Sequence, residues 1–387
     1  MTLTLNGPAA ARSLREISQI EAAASESQRT MSAPLVDALW DSGLLSFLNT
    51  PEAGGCEPTF TEVIETWIEM AIQDGALGWI GIANMPSAMA ASAYLPEEGF
   101  QELFGNPLDR VTVGGQFFPN GSGESTGDGY MLSGSWNFGS GTAHSKYIAC
   151  GFFPVINGEA IFELTEIRAA LVPREQVHFT DGWHVQGLRG TGSYDYAVTE
   201  VFVPESRCFP LFTRQPERGG SPLFRMGLMP ITAAGHAAWA LGVSKSMLDD
   251  VADLALKKAR MSDMETLARR NTFQRNLAHF TGMWRAARAG VIETFGSAEQ
   301  AVAAGEELTP RMRADMRVAA TYATEASREV GQWAHLAAGT TAIRDGSRME
   351  RAFRDLYTGT QHAFISEKTY IDAAQIWLGL EEDLPGI

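Results

Sequence analysis

Eight residues near the C-terminal end, Asp355-Leu-Tyr-Thr-Gly-Thr-Gln-His362, carry the clearest chemical signal in the chain. The hydroxyl of Thr358 is not ionised near neutral pH, so Thr358 cannot serve as a base. Four residues on, His362 brings a side chain that can both donate and accept a proton at pH 7. A second signal is Gly129-Tyr-Met-Leu-Ser-Gly-Ser-Trp-Asn-Phe-Gly-Ser-Gly141, a strand that bends into a Gly-Ser-Gly tip. There Ser140, between two glycines, could bring its hydroxyl and neighbouring amides to the edge of a planar ring; a plain turn after a strand is the competing reading. A third is Trp183-His-Val-Gln-Gly-Leu-Arg-Gly-Thr-Gly-Ser193, whose Thr191 and Ser193 offer hydrogen-bond donors. A β-turn is its default reading. His236 lies in a run of small residues and could face a pocket, and Trp239 and Phe117 could stack on a ring, although aromatics more often simply fill a core. His144, His178, His279 and His335 lack metal-ligand spacing and read as surface or core residues.

Three zones must position these groups. Residues 1–107 read as a helical domain: Leu14, Ile17, Ile20 and Ala24 fall at helical spacing, and a second periodic stretch runs from Phe60 to Leu95 with breaks near Asp74-Gly75 and Pro86. Pro51 and Gly54-Gly55 mark a turn between them. Residues 108–215 change character to short β-prone runs: Val111–Phe118, Tyr130–Phe138, Tyr147–Val155, Ile161–Val172 and Val198–Val203. Asn120-Gly121 and Asp128-Gly129 are expected turns. This zone reads as a small, mostly antiparallel β domain. Residues 216–387 return to helix. Met312, Met316, Ala319, Ala323, Ala326, Val330 and Trp333 form one apolar seam, with Thr309-Pro310 as a start and Gly339 as a stop. The helix near Ile231–Leu256 is rich in Ala and Gly, which suits either tight helix packing or a flat ligand.

The α, then β, then α order defines an α+β chain and argues against a doubly wound parallel sheet. No glycine fingerprint of a Rossmann or P-loop nucleotide site is present. Hydrophobic residues make up 45% of 387, yet no apolar run approaches the length of about 18 residues that a membrane span needs. The N-terminal stretch lacks a basic start followed by an apolar core, and Cys56, Cys150 and Cys208 are few and far apart. A cytoplasmic protein with reduced thiols is expected. A formal net charge of −16 argues against nucleic acid and anionic membranes as partners.

Taken in order, Pro51-Glu-Ala-Gly-Gly, the Trp136-x-Phe138-x-Ser140-Gly element, Trp183 to Ser193, Val201-Phe-Val-Pro204, and Glu350-Arg351 with Arg354-Asp-Leu through Gln361-His362 resemble the acyl-CoA dehydrogenase superfamily. More narrowly they are similar to the oxygenase components of two-component flavin monooxygenases, of the p-hydroxyphenylacetate hydroxylase and dibenzothiophene monooxygenase type. Acyl-CoA dehydrogenases carry Tyr-Glu-Gly-Thr where this chain has Tyr357-Thr358-Gly359-Thr360, and that glutamate removes a proton beside a thioester. The resemblance implies a helical N-terminal domain, a central β domain, a C-terminal four-helix bundle and a homotetramer built on that bundle. It also implies reduced flavin (FMNH2 or FADH2) supplied by a separate NAD(P)H-flavin reductase, and O2. On the same resemblance, a C4a-hydroperoxyflavin is expected to hydroxylate a small aromatic or heteroaromatic compound, or an amine nitrogen.

Residue by residue, the resemblance assigns Ser140 to a hydrogen bond near flavin N5 and His362 to the oxygen chemistry or the substrate. It places Arg189, Thr191 and Ser193 on the flavin side, where Trp136 and Phe138 of the serine element are also expected; Asn84, Phe117, His236 and Trp239 are candidates for the substrate pocket from the reading of the residues themselves. Many relatives carry a histidine just after a Gly-Trp pair; here Gly78-Trp79 is followed by Ile-Gly-Ile-Ala-Asn84 with none. The competing expectation is a flavin dehydrogenase with a relocated base. Phe224 to Pro230, the other place the superfamily carries that glutamate, holds no acid.

Overall fold

The structure is a computed structural model and describes residues 4–259, 265–384 and 386–387. The N-terminal zone folds into α1 (Gly7–Ser13), α2 (Arg15–Gln28), α3 (Ala33–Asp41), α4 (Phe60–Gln73), α5 (Gly75–Tyr94) and α6 (Glu97–Phe104). Thr59 opens α4 with a reciprocal capping box to Glu62. Asp74 then ends α4 and opens α5, its carboxylate accepting from the amides of Ala76 and Leu77. Pro86 does not break α5, contrary to expectation. The helix is buried on nearly every face against α4 and the elements that follow, and that packing outweighs the one missing N–H. Ile20 is a second departure, since its side chain is exposed while Leu14, Ser18, Ala22 and Ser25 face inward.

The middle zone is one sheet: β1 (Val113–Ser125), β2 (Gly129–Gly139), β3 (Tyr147–Ile156), β4 (Glu159–Ala160), β5 (Arg168–Pro173), β6 (His178–Thr180), β7 (Tyr194–Pro204) and β8 (Cys208–Pro210). Their order is β6-β7-β2-β1-β3-β5-β8, with β4 on β3; β1 and β3 run parallel and every other pair antiparallel. Asp128-Gly129 does sit at the β1–β2 turn. Asn120-Gly121 instead lies inside β1, where the register to β3 slips. A side chain at Gly121 would come within 2.6 Å of Trp136, so this glycine serves close packing and not a turn. The β run expected from Ile161 is strand only from Arg168.

The C-terminal zone holds α7 (Leu228–Lys257), α8 (Asn271–Ala303), α9 (Pro310–Ala338), α10 (Arg348–Gly359) and α11 (Lys368–Trp377). Helices α7 to α10 pack as a bundle. Thr309 caps α9 through the Met312 amide, Pro310 is its first residue, and Gly339 ends it at φ 61°. Met316, Ala323, Ala326 and Val330 of the seam are buried. The small residues of α7 pack helix on helix. A Cβ on Gly242 would lie 2.4 Å from the Ile68 carbonyl of α4. One apolar core runs through α4, α5, the sheet and the bundle, so the three zones share an interior.

Candidate active site

Four side chains from three parts of the chain meet in a single hydrogen-bonded line. The Trp79 indole N–H of α5 donates to Ser140 Oγ at 3.0 Å, just past the end of β2. Ser140 Oγ lies 2.8 Å from Ser193 Oγ, which lies 2.7 Å from Thr191 Oγ1. Thr191 Oγ1 in turn donates to the Leu188 carbonyl at 2.8 Å. The two ends fix the direction. An indole N–H can only donate and a carbonyl can only accept, so each hydroxyl spends its one hydrogen toward Leu188. Ser140 donates to Ser193 and accepts from Trp79, which leaves it one free lone pair and no hydrogen. Any group that meets Ser140 in this arrangement must be a donor.

The glycines around Ser140 do not provide the open space expected of them. A Cβ on Gly141 would be 2.2 Å from Asn84 Oδ1, and one on Gly139 would be 2.7 Å from the Tyr196 ring. Both serve close packing within the protein, and Gly141 has φ 70° besides.

Trp79 also links this line to the histidines. Its ring is edge-on to Trp239 at 4.9 Å and to His236 at 5.4 Å, and 5.9 Å from His362 between centroids. His236 and His362 lie 4.3 Å apart. His362 lies three residues beyond the end of α10. The chain leaves the helix after Gly359, whose Cβ would strike Trp239 at 2.2 Å. The Phe364 amide donates to His362 Nδ1 at 3.2 Å, so the neutral ring carries its proton on Nε2. Burial, with the nearby Arg317 charge, pushes the His362 pKa down to about 4. At neutral pH this imidazole is an N–H donor and a weak base. Burial, the His362 ring and Arg317 likewise hold His236 well below the ordinary histidine value.

Asp355 of α10 ties the loop to the bundle. Its Oδ1 accepts the Leu188 amide at 2.6 Å, which holds Leu188 at φ 56°, a left-handed conformation unusual for leucine. Helix and loop lie flush: a Cβ on Gly187 would be 2.2 Å from the Arg354 carbonyl. Asp355 is 1% exposed, and burial together with the Asp74 carboxylate pushes its pKa up to about 8. Arg354 braces the same junction, bonding the Gln186 carbonyl, Glu26 and Glu350.

The structure therefore brings together Ser140, Thr191, Ser193, His236, Trp239 and His362. Other expected residues lie apart. Trp136 is fully buried in the sheet, stacked on Tyr196, with its N–H given to the Phe118 and Gly151 carbonyls, so it cannot touch a cofactor. The amide of Asn84 is spent on the Val113 carbonyl, Ser145 and His144, so Asn84 holds α5 to the sheet and does not line a pocket. Phe117 packs toward Phe209 in the main core. Phe138 is exposed beside Trp183, at φ 63°. Arg189 bonds the Val185 carbonyl and borders a cleft of about 490 Å3 that Glu26, Arg29 and Trp183 also line. Trp79 and Arg317 were not among the expected site residues. The Gly78-Trp79 pair was the available signal for the first.

The fold and the site define a flavoprotein scaffold of the acyl-CoA dehydrogenase kind. The family model for the acyl-CoA dehydrogenase C-terminal domain matches residues 234–367. Indole-3-acetate monooxygenase of Pseudomonas putida is 30% identical over 367 residues, spanning 93% of this chain and 90% of that protein. The oxygenase subunit HsaA of a flavin-dependent monooxygenase from Mycobacterium tuberculosis is 26% identical over 364 residues, 88% of this chain and 87% of its own. The solved structure of XiaF from Streptomyces sp., in complex with FADH2 and glycerol, superposes with a TM-score of 0.91 at 22% identity, covering 98% of this chain and 97% of that one. The chain belongs to the flavin-dependent monooxygenases of the acyl-CoA dehydrogenase superfamily, among their oxygenase components.

Proposed function

We infer that the chain hydroxylates a small aromatic or heteroaromatic compound with reduced flavin and O2, and that Ser140 and His362 are its catalytic residues. The observation that carries this reading is the junction at Trp79. The place of the dehydrogenase base holds Thr358, while a one-way hydroxyl line and a neutral imidazole both end on the same indole. Bound reduced flavin, FMNH2 or FADH2, supplies the electrons that activate O2. The residues fit that group. N5 of a reduced flavin carries a hydrogen and N5 of an oxidised one does not, and the free lone pair of Ser140 suits only the first. His362 Nε2–H serves as a donor to an oxygen atom; its depressed pKa makes it a poor base for a phenol. The buried indoles of Trp79 and Trp239 keep water from this region.

A separate NAD(P)H-flavin reductase supplies the flavin, in keeping with the relatives' designation as oxygenase subunits. A homotetramer fits the apolar side chains left bare on the C-terminal helices, Leu336, Ile371 and Trp377 among them. Three unpaired cysteines accord with a cytoplasmic location, and no helix among the described residues is long and apolar enough to cross a membrane.

The test uses purified chain, a flavin reductase, NADH, FMN or FAD, 18O2 and a panel of aromatics that includes indole-3-acetate. The expected result is one labelled oxygen in a substrate-dependent product. Desaturation of an acyl-CoA with no oxygenated product would overturn the reading.

A further inference from the structure

Arg317 of α9 is 8% exposed, yet its Nε and Nη1 are buried without a hydrogen-bond partner among the described residues. Its one hydrogen bond runs from Nη2 to Thr369 Oγ1 at 3.3 Å. One turn along the same face, the fully buried Thr321 hydroxyl also has no partner among the described residues. A buried guanidinium with open donors is costly unless an anion completes it. The carboxylate that bears on it, Asp372 of α11, is engaged by Lys368 and makes no hydrogen bond to it. Lining one face, the Phe364 ring lies 3.4 Å from the guanidinium carbon, so the cation's open positions are in its own plane, where a carboxylate binds.

The surroundings point to what brings the anion. Phe364 stacks toward His236 at 5.8 Å, His236 meets His362 at 4.3 Å, and His362 meets Trp79 at 5.9 Å. Aromatic faces thus run from the unpaired cation to the indole that contacts Ser140. We propose that Arg317, with Thr321 beside it, is the subsite for an anionic substituent of the substrate, so that the enzyme takes aromatic acids whose carboxylate docks on Arg317 while the ring lies toward His362. This deepens the functional reading above and rests on it. The same chemistry could be supplied by a flavin phosphate, and the experiment separates the two sources.

Equilibrium binding by calorimetry is measured for indole-3-acetate, indole-3-acetamide and indole with the wild-type chain, Arg317→Gln and Arg317→Lys. Reduced FMN and reduced riboflavin are titrated against the same proteins under anaerobic conditions. The wild-type chain is expected to favour the acid over the amide by about 10- to 100-fold, the worth of a charge-assisted hydrogen bond. Arg317→Gln should erase that preference while leaving the affinity for amide and for FMN unchanged, and Arg317→Lys should keep part of it. Equal wild-type affinity for acid and amide overturns the proposal, and so does a loss confined to reduced FMN relative to riboflavin. These measurements need no turnover, so a failure of the 18O2 assay remains separate from a failure here.

Discussion

At the scale of single residues, the chemistry turns on which atoms still have a hydrogen to give. Ser140 has none, because the line from Trp79 to the Leu188 carbonyl uses all three hydroxyl hydrogens. Ser140→Ala should raise the ratio of hydrogen peroxide to product by up to about tenfold, the net worth of one hydrogen bond. Thr191→Val removes the last donor in the line and leaves Ser193 free to turn. It should move the same ratio in the same direction with Ser140 intact, and an unchanged ratio in both variants would dismiss the line as catalytic. His362 is the other pole. His362→Ala should lower product formation by about 100-fold or more, the usual worth of a positioned proton donor, with reduced flavin still bound. Because its pKa lies near 4, the wild-type rate should show no histidine titration between about pH 6 and 8. A rate that falls through an apparent pKa of about 6.5, the ordinary histidine value, would assign the step to another group.

At the scale of elements, glycine placement separates packing from freedom. Gly242 on α7 presses against the Ile68 carbonyl of α4, while Gly290 on α8 is exposed, and a methyl group added there would meet nothing within 4 Å. Gly242→Ala should destabilise the chain by about 1–3 kcal/mol through overpacking, and Gly290→Ala should stabilise it by about 0.5–1 kcal/mol through helix propensity. Urea unfolding of both variants checks the pair; equal shifts would contradict the close approach of α7 to α4 at Gly242. The same contrast explains why the Ala- and Gly-rich stretch of α7 could not be read unambiguously. Small side chains admit a flat ligand or a neighbouring backbone equally well, and only the position of α4 decides for the backbone.

At the scale of the whole molecule, buried ionisable groups set the pH range of stability. The folded-state pKa of Asp355 is raised from 3.8 to about 8. Its contribution is complete below the unfolded value and is lost as pH rises through about 8. Asp355→Asn keeps an oxygen for the Leu188 amide but cannot ionise, so its urea midpoint should gain on the wild type between about pH 5 and 8. A constant difference across that range would place the Asp355 proton elsewhere. His144 and His362, both depressed from 6.5 to about 4, act on the acid side. Their contribution is complete above the unfolded value and drains away as pH falls from about 6.5 toward 4. The sequence alone determined the order of helical, β and helical zones and the ends of α9, because periodicity and caps are local properties of the chain; Ser140 and His362 were singled out together only through the resemblance of their motifs. It could not show that Trp136 and Asn84 are spent on the interior, or that Trp79 joins the two halves of the site. Nor could it show that Arg317 keeps two buried donors without a partner among the described residues. Those facts depend on which atoms face each other across residues far apart in sequence, and only the packing of α5, the 183–193 loop, α9 and α10 around one point decides them.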